Sequence, residues 1–326
     1  MKRHILLLLV LILIISSFSV SADLNNYVLN SSLKTIYVDD DGGADYTSIQ
    51  DAINNASDGD TIFVYNGTYY EKINITKSIK LIGEEKYNTI IDGRYIIPDE
   101  YSEFGASIIR IFKTDGVTVS GFTIQKVVTS TLMVDAGLHI GNSNYNNISN
   151  NIFRDIMDVG ILIASGSNHL VSENAIIKTS TGIWCDTSDS TFTKNTITNM
   201  DYEGILLWSA YGSTFIENNI THTRQGMVIL ESRKNLIKRN NIAHNTEGVF
   251  LSLSRWNKFY QNNFIDSGYA GHVEFKSWSF FNHWRGNYWD NQIIHRFPKI
   301  LFGRFGVLPI PWFNFDFHPA RKSYEI

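Results

Sequence analysis

The sequence predicts an all-β protein, a solenoid of parallel strands in which each coil, or rung, spans about 22 residues. One observation is a series of glycines spaced 22 residues apart, each followed by three apolar residues. A second is a repeated pattern of an apolar residue, two variable residues, Asn, one residue and then Ile or Phe. The apolar runs between these landmarks are short and alternate with polar residues, which is typical of strands. The glycines are Gly160, Gly182, Gly204, Gly226 and Gly248, and the asparagines are Asn150, Asn174, Asn195, Asn218, Asn240 and Asn262.

Stacked rungs place equivalent residues in columns, and the columns predict which side chains are structural. The positions one and three residues after each glycine are apolar and face the interior, so Cys185 is predicted to be a buried, inert thiol. The asparagines are predicted to adopt the left-handed backbone of tight turns and to hydrogen-bond between rungs. The residues that precede them alternate in charge and are expected to pair: Glu173, Lys194, Glu217 and Arg239.

Four segments are predicted along the chain. Residues 1–22 are interpreted as a signal peptide, because Lys2 and Arg3 precede the apolar run 5–15 and Ala22 ends a small-residue site. An uncleaved anchor is the alternative. Residues 23–33 form a linker, 34–277 the β-helix domain with its N-terminal cap, and 278–326 a C-terminal cap. This organisation predicts an extracellular or periplasmic protein with no membrane span in the mature chain.

Both ends of a solenoid need a cover, because open ends expose strand edges and core. At the front, residues 46–56 have the apolar spacing of an amphipathic helix. At the back, residues 278–317 break the period and are rich in aromatic residues, which predicts an irregular cap.

Composition restricts the partners. The net charge is −4 and the pI about 6.1, without a basic cluster in the sequence, which argues against nucleic acid. A single cysteine excludes an intramolecular disulfide.

The position two residues after each glycine should face outward, yet it is mostly apolar: His139, Leu162, Trp184, Leu206, Val228 and Phe250. Either another segment covers this stripe or it binds a ligand. Within it, Trp184 and Trp208 are predicted on neighbouring rungs. With Asp186 and Tyr211 they form the candidate carbohydrate-binding site, because aromatic rings beside a carboxylate suit a glycan.

The candidate acid/base patch surrounds the residues that precede the glycines. Glu203 and Glu247 are predicted in one column two rungs apart, with Asp201 beside Glu203 and Arg224 one rung further. A solvated loop face is the alternative interpretation.

A metal hypothesis rests on two histidines. His222 and His244 both stand four residues before a glycine and should stack on adjacent rungs, where two imidazoles could share a soft metal. Their predicted column neighbours are Met200, whose thioether suits Cu(I), and Lys178. Calcium and copper both stay open as cofactors, because neither has a complete ligand set in the sequence.

A family resemblance adds to these observations. The segment TIYVDDDGGADYTSIQDAINNASDGDTIFVYNGTYYEKINI resembles the opening of right-handed parallel β-helix proteins of the pectin-lyase-like superfamily. The GIxI and NxI rungs, with the tail NYWD and IPWFNFDFHP, are similar to the NosD-like group, whose name is linked to copper delivery. The resemblance covers residues 34–326 and implies a right-handed, single-stranded coil. It implies little about activity, since the superfamily includes lyases, hydrolases, esterases, epimerases and adhesins.

The short catalytic signatures of that superfamily are missing from this sequence. QDTL and DFIFG of pectinesterases, GHG of polygalacturonases, RxPxxR of pectate lyases and DPHD of alginate epimerases do not occur. The leading hypothesis is therefore a secreted or cell-surface protein that presents an extended surface to carbohydrate or another cell-envelope component. A carbohydrate-active enzyme with a diverged acidic site and a NosD-like periplasmic copper-delivery accessory are the alternatives.

Overall fold

A computed structural model describes residues 33–95, 107–126, 134–267, 271–276, 278–292, 297–305 and 308–326. The predicted signal peptide and all of the predicted linker but residue 33 lie outside these ranges. The secondary structure of the described residues lies in one compact unit, Thr35–Ile326.

The structure contains thirty strands and one helix in the described part of the chain. The helix, α1, spans Ile49–Asn55. The strands in chain order are β1 Thr35–Val38, β2 Thr61–Val64, β3 Gly67–Tyr69, β4 Ile73–Ile75, β5 Lys80–Gly83, β6 Thr89–Asp92, β7 Ile109–Phe112, β8 Thr118–Ser120, β9 Thr123–Gln125, β10 Ala136–Gly141, β11 Ser143–Asn144, β12 Asn147–Ser149, β13 Ile152–Ile163, β14 Gly166–Ser167, β15 Leu170–Ser172, β16 Ala175–Cys185, β17 Thr191–Thr193, β18 Thr196–Trp208, β19 Thr214–Ile216, β20 Asn219–Leu230, β21 Leu236–Lys238, β22 Asn241–Ala243, β23 Glu247–Ser252, β24 Lys258–Tyr260, β25 Asn263–Ile265, β26 Gly271–Lys276, β27 His283–Arg285, β28 Tyr288–Trp289, β29 Lys299–Phe305 and β30 Leu308–Asp316.

All of these strands except β11, β14, β29 and β30 form three parallel sheets around one core, which confirms the predicted fold, a right-handed parallel β-helix. Sheet B runs β1, β2, β5, β8, β12, β15, β17, β19, β21, β24, β27. Sheet C runs β3, β6, β9, the first halves of β13, β16, β18 and β20, then β22, β25, β28. Sheet A runs β4, β7, β10, the second halves of β13, β16, β18 and β20, then β23 and β26.

Sheet A explains the 22-residue glycine series. The residues one and three positions after each glycine are fully buried and stack along the core, with Cys185 among them. Burial raises the pKa of the Cys185 thiol, as expected for an inert side chain. A Cβ at Gly204 would lie 2.6 Å from the carbonyl oxygen of Gly226, so successive rungs approach too closely here for any side chain. Glycine is therefore required by the stacking itself.

The turns from sheet B to sheet C carry a ladder of buried asparagine amides: Asn151, Asn174, Asn195, Asn218, Asn240, Asn262 and Asn287. At a typical rung, Asn195 Nδ2 donates to Asn218 Oδ1 at 2.9 Å, and Asn218 Nδ2 donates in turn to Asn240 Oδ1 at 2.9 Å. Backbone amides also donate into the ladder, since Asn195 N lies 3.0 Å from Asn218 Oδ1.

The structure corrects two details of the asparagine prediction. Asn150 is not in the ladder; its neighbour Asn151 is. The left-handed backbone belongs to the residue before each ladder asparagine, for example φ 58° at Glu173 and 57° at Glu217. The chain reverses at that residue, so that the following amide can point inward. The charged column is thereby held outside, where Arg239 pairs with Glu217 at 3.1 Å.

A second ladder, which the sequence analysis missed, follows the turns from sheet A to sheet B. Its members differ in type but are all buried and polar: Asn146, His169, Ser190, Ser213, Asn235, Asn257 and Asn282. Backbone amides donate to the next member's side chain, as from Ser213 N to Asn235 Oδ1 at 2.9 Å. Mixed residue types hide this ladder from a search for one repeated letter.

Helix α1 follows β1 and buries Ile49, Ala52 and Ile53 against the first rungs, within the predicted range 46–56. Both of its ends are capped by charges from a neighbouring rung. The Glu71 carboxylate accepts hydrogen bonds from Ile49 N and Gln50 N, both at 2.9 Å. Lys77 Nζ donates to carbonyl oxygens at the other end, among them Ala56 O at 2.6 Å. This arrangement satisfies groups that a helix terminus leaves unpaired and complements the helix dipole.

Parallel stacking continues beyond residue 277, into the segment predicted as the cap. Strands β27 and β28 extend sheets B and C, because Asn282 and Asn287 continue the two ladders. An antiparallel pair, β29 and β30, then follows. Asp316, fully buried, accepts from Asn287 Nδ2 at 2.9 Å and ends the B-to-C ladder.

In the described ranges, no helix combines the length and apolar character that crossing a membrane requires.

Candidate functional site

The outer face of sheet A is built from three columns of side chains. The column before the glycines contains Ala136, Val159, Thr181, Glu203, Gln225 and Glu247. The central column contains Arg110, His139, Leu162, Trp184, Leu206, Val228, Phe250 and Glu274. The third column includes Trp208, Leu230, Ser252 and Lys276.

The apolar centre of this face is only partly open. Leu162, Leu206 and Val228 retain 8%, 8% and 5% exposure, so the aliphatic stripe is not bare. Ala136, Val159 and Leu162 form a small cluster of their own outside the main core, with Trp184 packed against it. The accessible part of the stripe is thus aromatic rather than aliphatic.

Trp184 and Trp208 form a parallel stack on this face. Their ring centroids lie 6.1 Å apart with an interplanar angle of 18°. Trp184 pairs with Leu206 and Trp208 with Leu230, so the two rings meet diagonally across adjacent rungs. Trp208 is 43% exposed and Trp184 half-buried.

Asp186 follows Trp184 by two residues and is half-buried on the same strand extension. Burial raises the pKa of its carboxyl group. Tyr211 does not share this face: it lies in the turn that leads to sheet B, in contact with Arg233 and Lys234. The predicted four-residue carbohydrate site therefore divides into a face and an adjacent corner.

The structure places Glu203 and Glu247 two rungs apart in one column, with Gln225 between them. Thr181 Oγ1 donates to Glu203 Oε2 at 2.7 Å. Asp201 is exposed, and the Arg224 guanidinium lies 5.7 Å from the centroid of the Tyr202 ring. The predicted four-residue patch thus contains carboxylates in two distinct environments rather than one compact cluster.

Glu247 is the unusual carboxyl group of the patch. It retains 6% exposure, Gln225 Nε2 donates to its Oε2 at 2.5 Å, and its Oε1 is buried without a hydrogen bond to the described residues. Burial, with a smaller contribution from the nearby charge of Glu274, raises the pKa of Glu247. Lys276 Nζ lies 3.3 Å from Glu274 Oε1 and pairs with this second carboxyl group.

Glu274 and Lys276 were missed by sequence reasoning. The glycine series gives no signal for them, because Gly271 aligns with Glu247 and His272 takes the position that follows Gly248 in the column. Arg110 and His139 lie at the opposite end of the central column; His139 is fully buried, and burial with the charge of Arg110 lowers its pKa to about 4. The face therefore runs from an Arg–His end to a paired carboxylate end.

The predicted histidine pair lies on a different corner, between sheets C and A. The rings of His222 and His244 are 5.5 Å apart between centroids, and His244 Nδ1 lies 3.1 Å from Asp266 Oδ2. Met200 is not their neighbour, contrary to prediction: it pairs with Thr223, is buried, and accepts a hydrogen bond from Thr179. Met200 aligns with the residue after His222, a shift of one position from the predicted register, and its thioether therefore faces the interior.

Among the described residues, three metal-ligating groups come together only at Asp39, Asp40 and Asp41, where two of the three are exposed. Neither a calcium nor a copper ligand set is completed around His222 and His244 by a third such group there.

Residues 136–279 match the family model described as the right handed beta helix region. No curated protein was found to be significantly similar in sequence. Solved structures are similar in fold: rhamnogalacturonan lyase, 13% identical with a TM-score of 0.60, covers 78% of this chain and 82% of its own. The fold of this chain is the right-handed parallel β-helix.

Two further structures support this assignment of the fold. The pectin methylesterase from Aspergillus niger is 16% identical, with a TM-score of 0.56, and the match covers 78% of this chain and 90% of that one. XylC, solved in complex with xylose, is 12% identical, with a TM-score of 0.55, covering 87% of this chain and 73% of that one. At these identities the likeness concerns the fold alone.

Proposed function

We propose that this protein is an exported β-helix protein that binds a polysaccharide or another cell-envelope glycan on the outer face of sheet A. The observation that carries the proposal is the Trp184–Trp208 stack, with its rings 6.1 Å apart and nearly parallel. Export is supported by the signal-like residues 1–22.

The Trp184–Trp208 stack is better explained by ligand binding than by a contribution to the stability of the fold. Trp208 leaves 43% of its surface in water, although the core beneath it is filled by fully buried Leu207 and Ile205. A flat apolar ring that ends in a polar N–H offers the mixed contact that a sugar ring requires. Asp186 supplies an acceptor for sugar hydroxyls on the same strand extension.

The similarity in fold to solved structures also favours carbohydrate binding, but it does not by itself establish the ligand. The names of the similar structures refer to rhamnogalacturonan, pectin and xylose. Solenoid proteins also commonly use an extended sheet face for binding.

The test is a panel of neutral and acidic polysaccharides, with and without calcium, in which both retention on the polymer and release of reducing or unsaturated ends are scored. Trp208→Ala and Trp184→Ala should each weaken retention about fivefold, because one aromatic stacking contact contributes on the order of 1 kcal/mol. Tyr87→Ala, which removes another exposed ring (66% exposed), should leave retention unchanged. Equal losses in all three variants, or no retention of any polymer, would contradict the proposal.

A second candidate function is a carbohydrate-active enzyme, and the environment of Glu247 favours it. A buried carboxyl group with a raised pKa, close to the second carboxyl group of Glu274, resembles the carboxyl pair that glycan hydrolysis uses. In this case the same panel should yield new reducing or unsaturated ends.

Glu247→Gln should then abolish product release while retention persists, and Glu203→Gln should leave it largely intact. Retention without product from any polymer would rule the enzyme out. The copper-delivery hypothesis stays a prediction that rests on His222 and His244.

A further inference from the structure

The corner that joins sheet A to sheet B, directly after Trp208, combines cations with exposed aromatic rings. We call it the basic corner and define it by Tyr211, Arg233, Lys234, Arg255, Trp256 and Phe281. The composition of the whole chain hides it, since the net charge is negative, −4.

The two arginines are aligned by the coil. Tyr211, Arg233 and Arg255 follow one another in a column of parallel bridges, so the arginines repeat at the strand spacing of about 4.8 Å. Together with Ser209, Glu231 and Leu253 they line a cleft of about 500 Å³. Successive anionic groups along a chain could therefore meet successive arginines.

Tyr211 holds the cations in place. The Arg233 guanidinium lies 5.6 Å from the centroid of its ring, and Lys234 Nζ lies 5.1 Å from that centroid and 2.8 Å from the phenolic oxygen. The hydrogen bond and the cation–π contacts pre-organise the charges on one side of the corner.

These cations are exposed and have no acidic partner. None of Arg233, Lys234 and Arg255 forms an ion pair with a carboxylate in the described part of the chain. Glu231 is the carboxylate that lines the cleft. Glu231 offsets one of these three charges, so the corner keeps an excess of positive charge that favours an anionic ligand.

The exposed aromatic rings of the basic corner are also poorly explained by a contribution to the stability of the fold. Trp256 and Phe281 stack with centroids 4.6 Å apart and an interplanar angle of 17°, yet they are 44% and 61% exposed. Both occupy the left-handed position before a ladder asparagine, with φ of 64° and 58°. Gly212 fills that position two rungs before Trp256, without the steric cost that a bulky side chain meets there. The left-handed conformation is shared by the residue before each member of this ladder, so what distinguishes Trp256 and Phe281 is that their rings are stacked and exposed.

We propose that the basic corner binds a polyanionic polysaccharide. Arg233 and Arg255 pair with the carboxylates or sulfates of successive sugars, and Trp256 with Phe281 stacks on a pyranose ring. The inference rests on the proposed carbohydrate binding and adds the charge class of the glycan. Nucleic acid is disfavoured, because phosphate backbones are bound by longer basic stripes on proteins with a basic charge balance.

The experiment compares a polyuronate, the same polymer after reduction of its carboxyl groups, and a sulfated glycan, each titrated against the full protein by calorimetry at two salt concentrations. The acidic polymers should bind at least about tenfold more tightly than the reduced one, and salt should weaken only the acidic complexes. Stronger binding of one acidic polymer identifies carboxylate or sulfate as the natural anion.

The double variant Arg233→Gln/Arg255→Gln should lose this about tenfold preference and most of the salt dependence. Lys194→Gln/Arg285→Gln, which removes two exposed charges elsewhere on the coil, is the matched control and should keep both. Trp256→Ala should weaken binding of the acidic and the reduced polymer alike. Circular dichroism establishes that the variants fold.

The outcomes separate the two proposals. If acidic and reduced polymers bind with equal affinity, and only Trp208→Ala abolishes this binding, the proposal that the basic corner binds a polyanion is wrong. The proposal of carbohydrate binding on sheet A would then still hold. Absence of binding to every polymer would overturn both. Tighter binding of single-stranded DNA than of any glycan would overturn the assignment to polysaccharide.

Discussion

The interior ladders and the outer columns of this coil follow opposite rules. Along the B-to-C ladder the same residue type recurs from Asn151 to Asn287, and every amide is bonded to its neighbours. Along the outer columns the residue type changes at each rung, from Trp184 to Leu206 to Val228. A column whose side-chain amides bond to one another must keep asparagine, as the B-to-C ladder does, whereas an outer column is free to vary. Functional residues are therefore expected in the outer columns, where the residue type changes from rung to rung.

The strongest test of this comparison replaces neighbouring asparagines that face opposite ways. Asn218→Ala removes a ladder amide and leaves Phe192 O and the backbone N–H of Asn195 without their partners. We expect a loss of about 4 kcal/mol in the free energy of unfolding, since each buried polar group left unpaired costs about 1–3 kcal/mol.

Asn219→Ala is the matched control. Asn219 is half-exposed on the outside, where its Oδ1 accepts from Asn241 at 2.8 Å. Its replacement should cost less than about 1 kcal/mol. Urea denaturation measures both variants, and similar losses would contradict the distinction between interior and exterior columns.

The one histidine in the A-to-B ladder should make the fold sensitive to acid. His169 is buried, its Nδ1 accepts from Asn146 N at 3.3 Å, and burial lowers its pKa to about 4. Because the folded pKa lies below the unfolded value of about 6.5, the neutral ring stabilises the fold above pH 6.5, and that stability is lost as pH falls towards 4.

His169→Asn, which restores the residue found at several other rungs, should remove this loss. At pH 4 the variant should retain up to about 2 kcal/mol more of its neutral-pH stability than the parent does. Unfolding curves at pH 7 and pH 4 provide the measurement. Identical pH dependence in both proteins would show that His169 does not govern the acid response.

The smallest expected effect concerns an outer column. Burial raises the folded pKa of Glu247, so the protonated form is favoured, and its contribution to stability is lost as pH rises through that pKa. Glu247→Gln should therefore stabilise the protein by about 1 kcal/mol at pH 8, and the gain should vanish below the ordinary pKa of glutamate. Thermal unfolding at pH 8 and pH 4 tests this. Glu203→Gln, in the same column, serves as the comparison, and an equal gain there would show that burial of Glu247 is not the cause.

Most of the fold was predictable because its causes are local and repeated. The glycine series marks positions where rungs approach too closely for a side chain, and the apolar positions after it mark the core. Errors came from single-residue offsets. The sequence pattern selects Asn150 instead of Asn151 and places Met200 beside His222, because a turn that contains one residue more or less shifts the register of the next strand.

The candidate sites were less predictable, since they combine residues from different rungs and corners. The residues Trp184 and Trp208 could be placed together from spacing alone. Glu247, by contrast, gains its character from Gln225 and Glu274, and Tyr211 belongs to a corner with Arg233 rather than to the tryptophans. Periodicity assigns a residue to a column but does not reveal its burial or its partners.

The sequence by itself determined that the chain is a coil of short parallel strands, which columns fill the core, and where one aromatic pair lies. Only the tertiary structure decided which amides form the ladders, which carboxyl group is buried, and that cations and exposed rings meet at one corner. The physical reason is that strand period and glycine spacing are properties of neighbouring residues along the chain. Burial and charge environment depend instead on how each turn aims its side chains relative to the next rung, about 4.8 Å away.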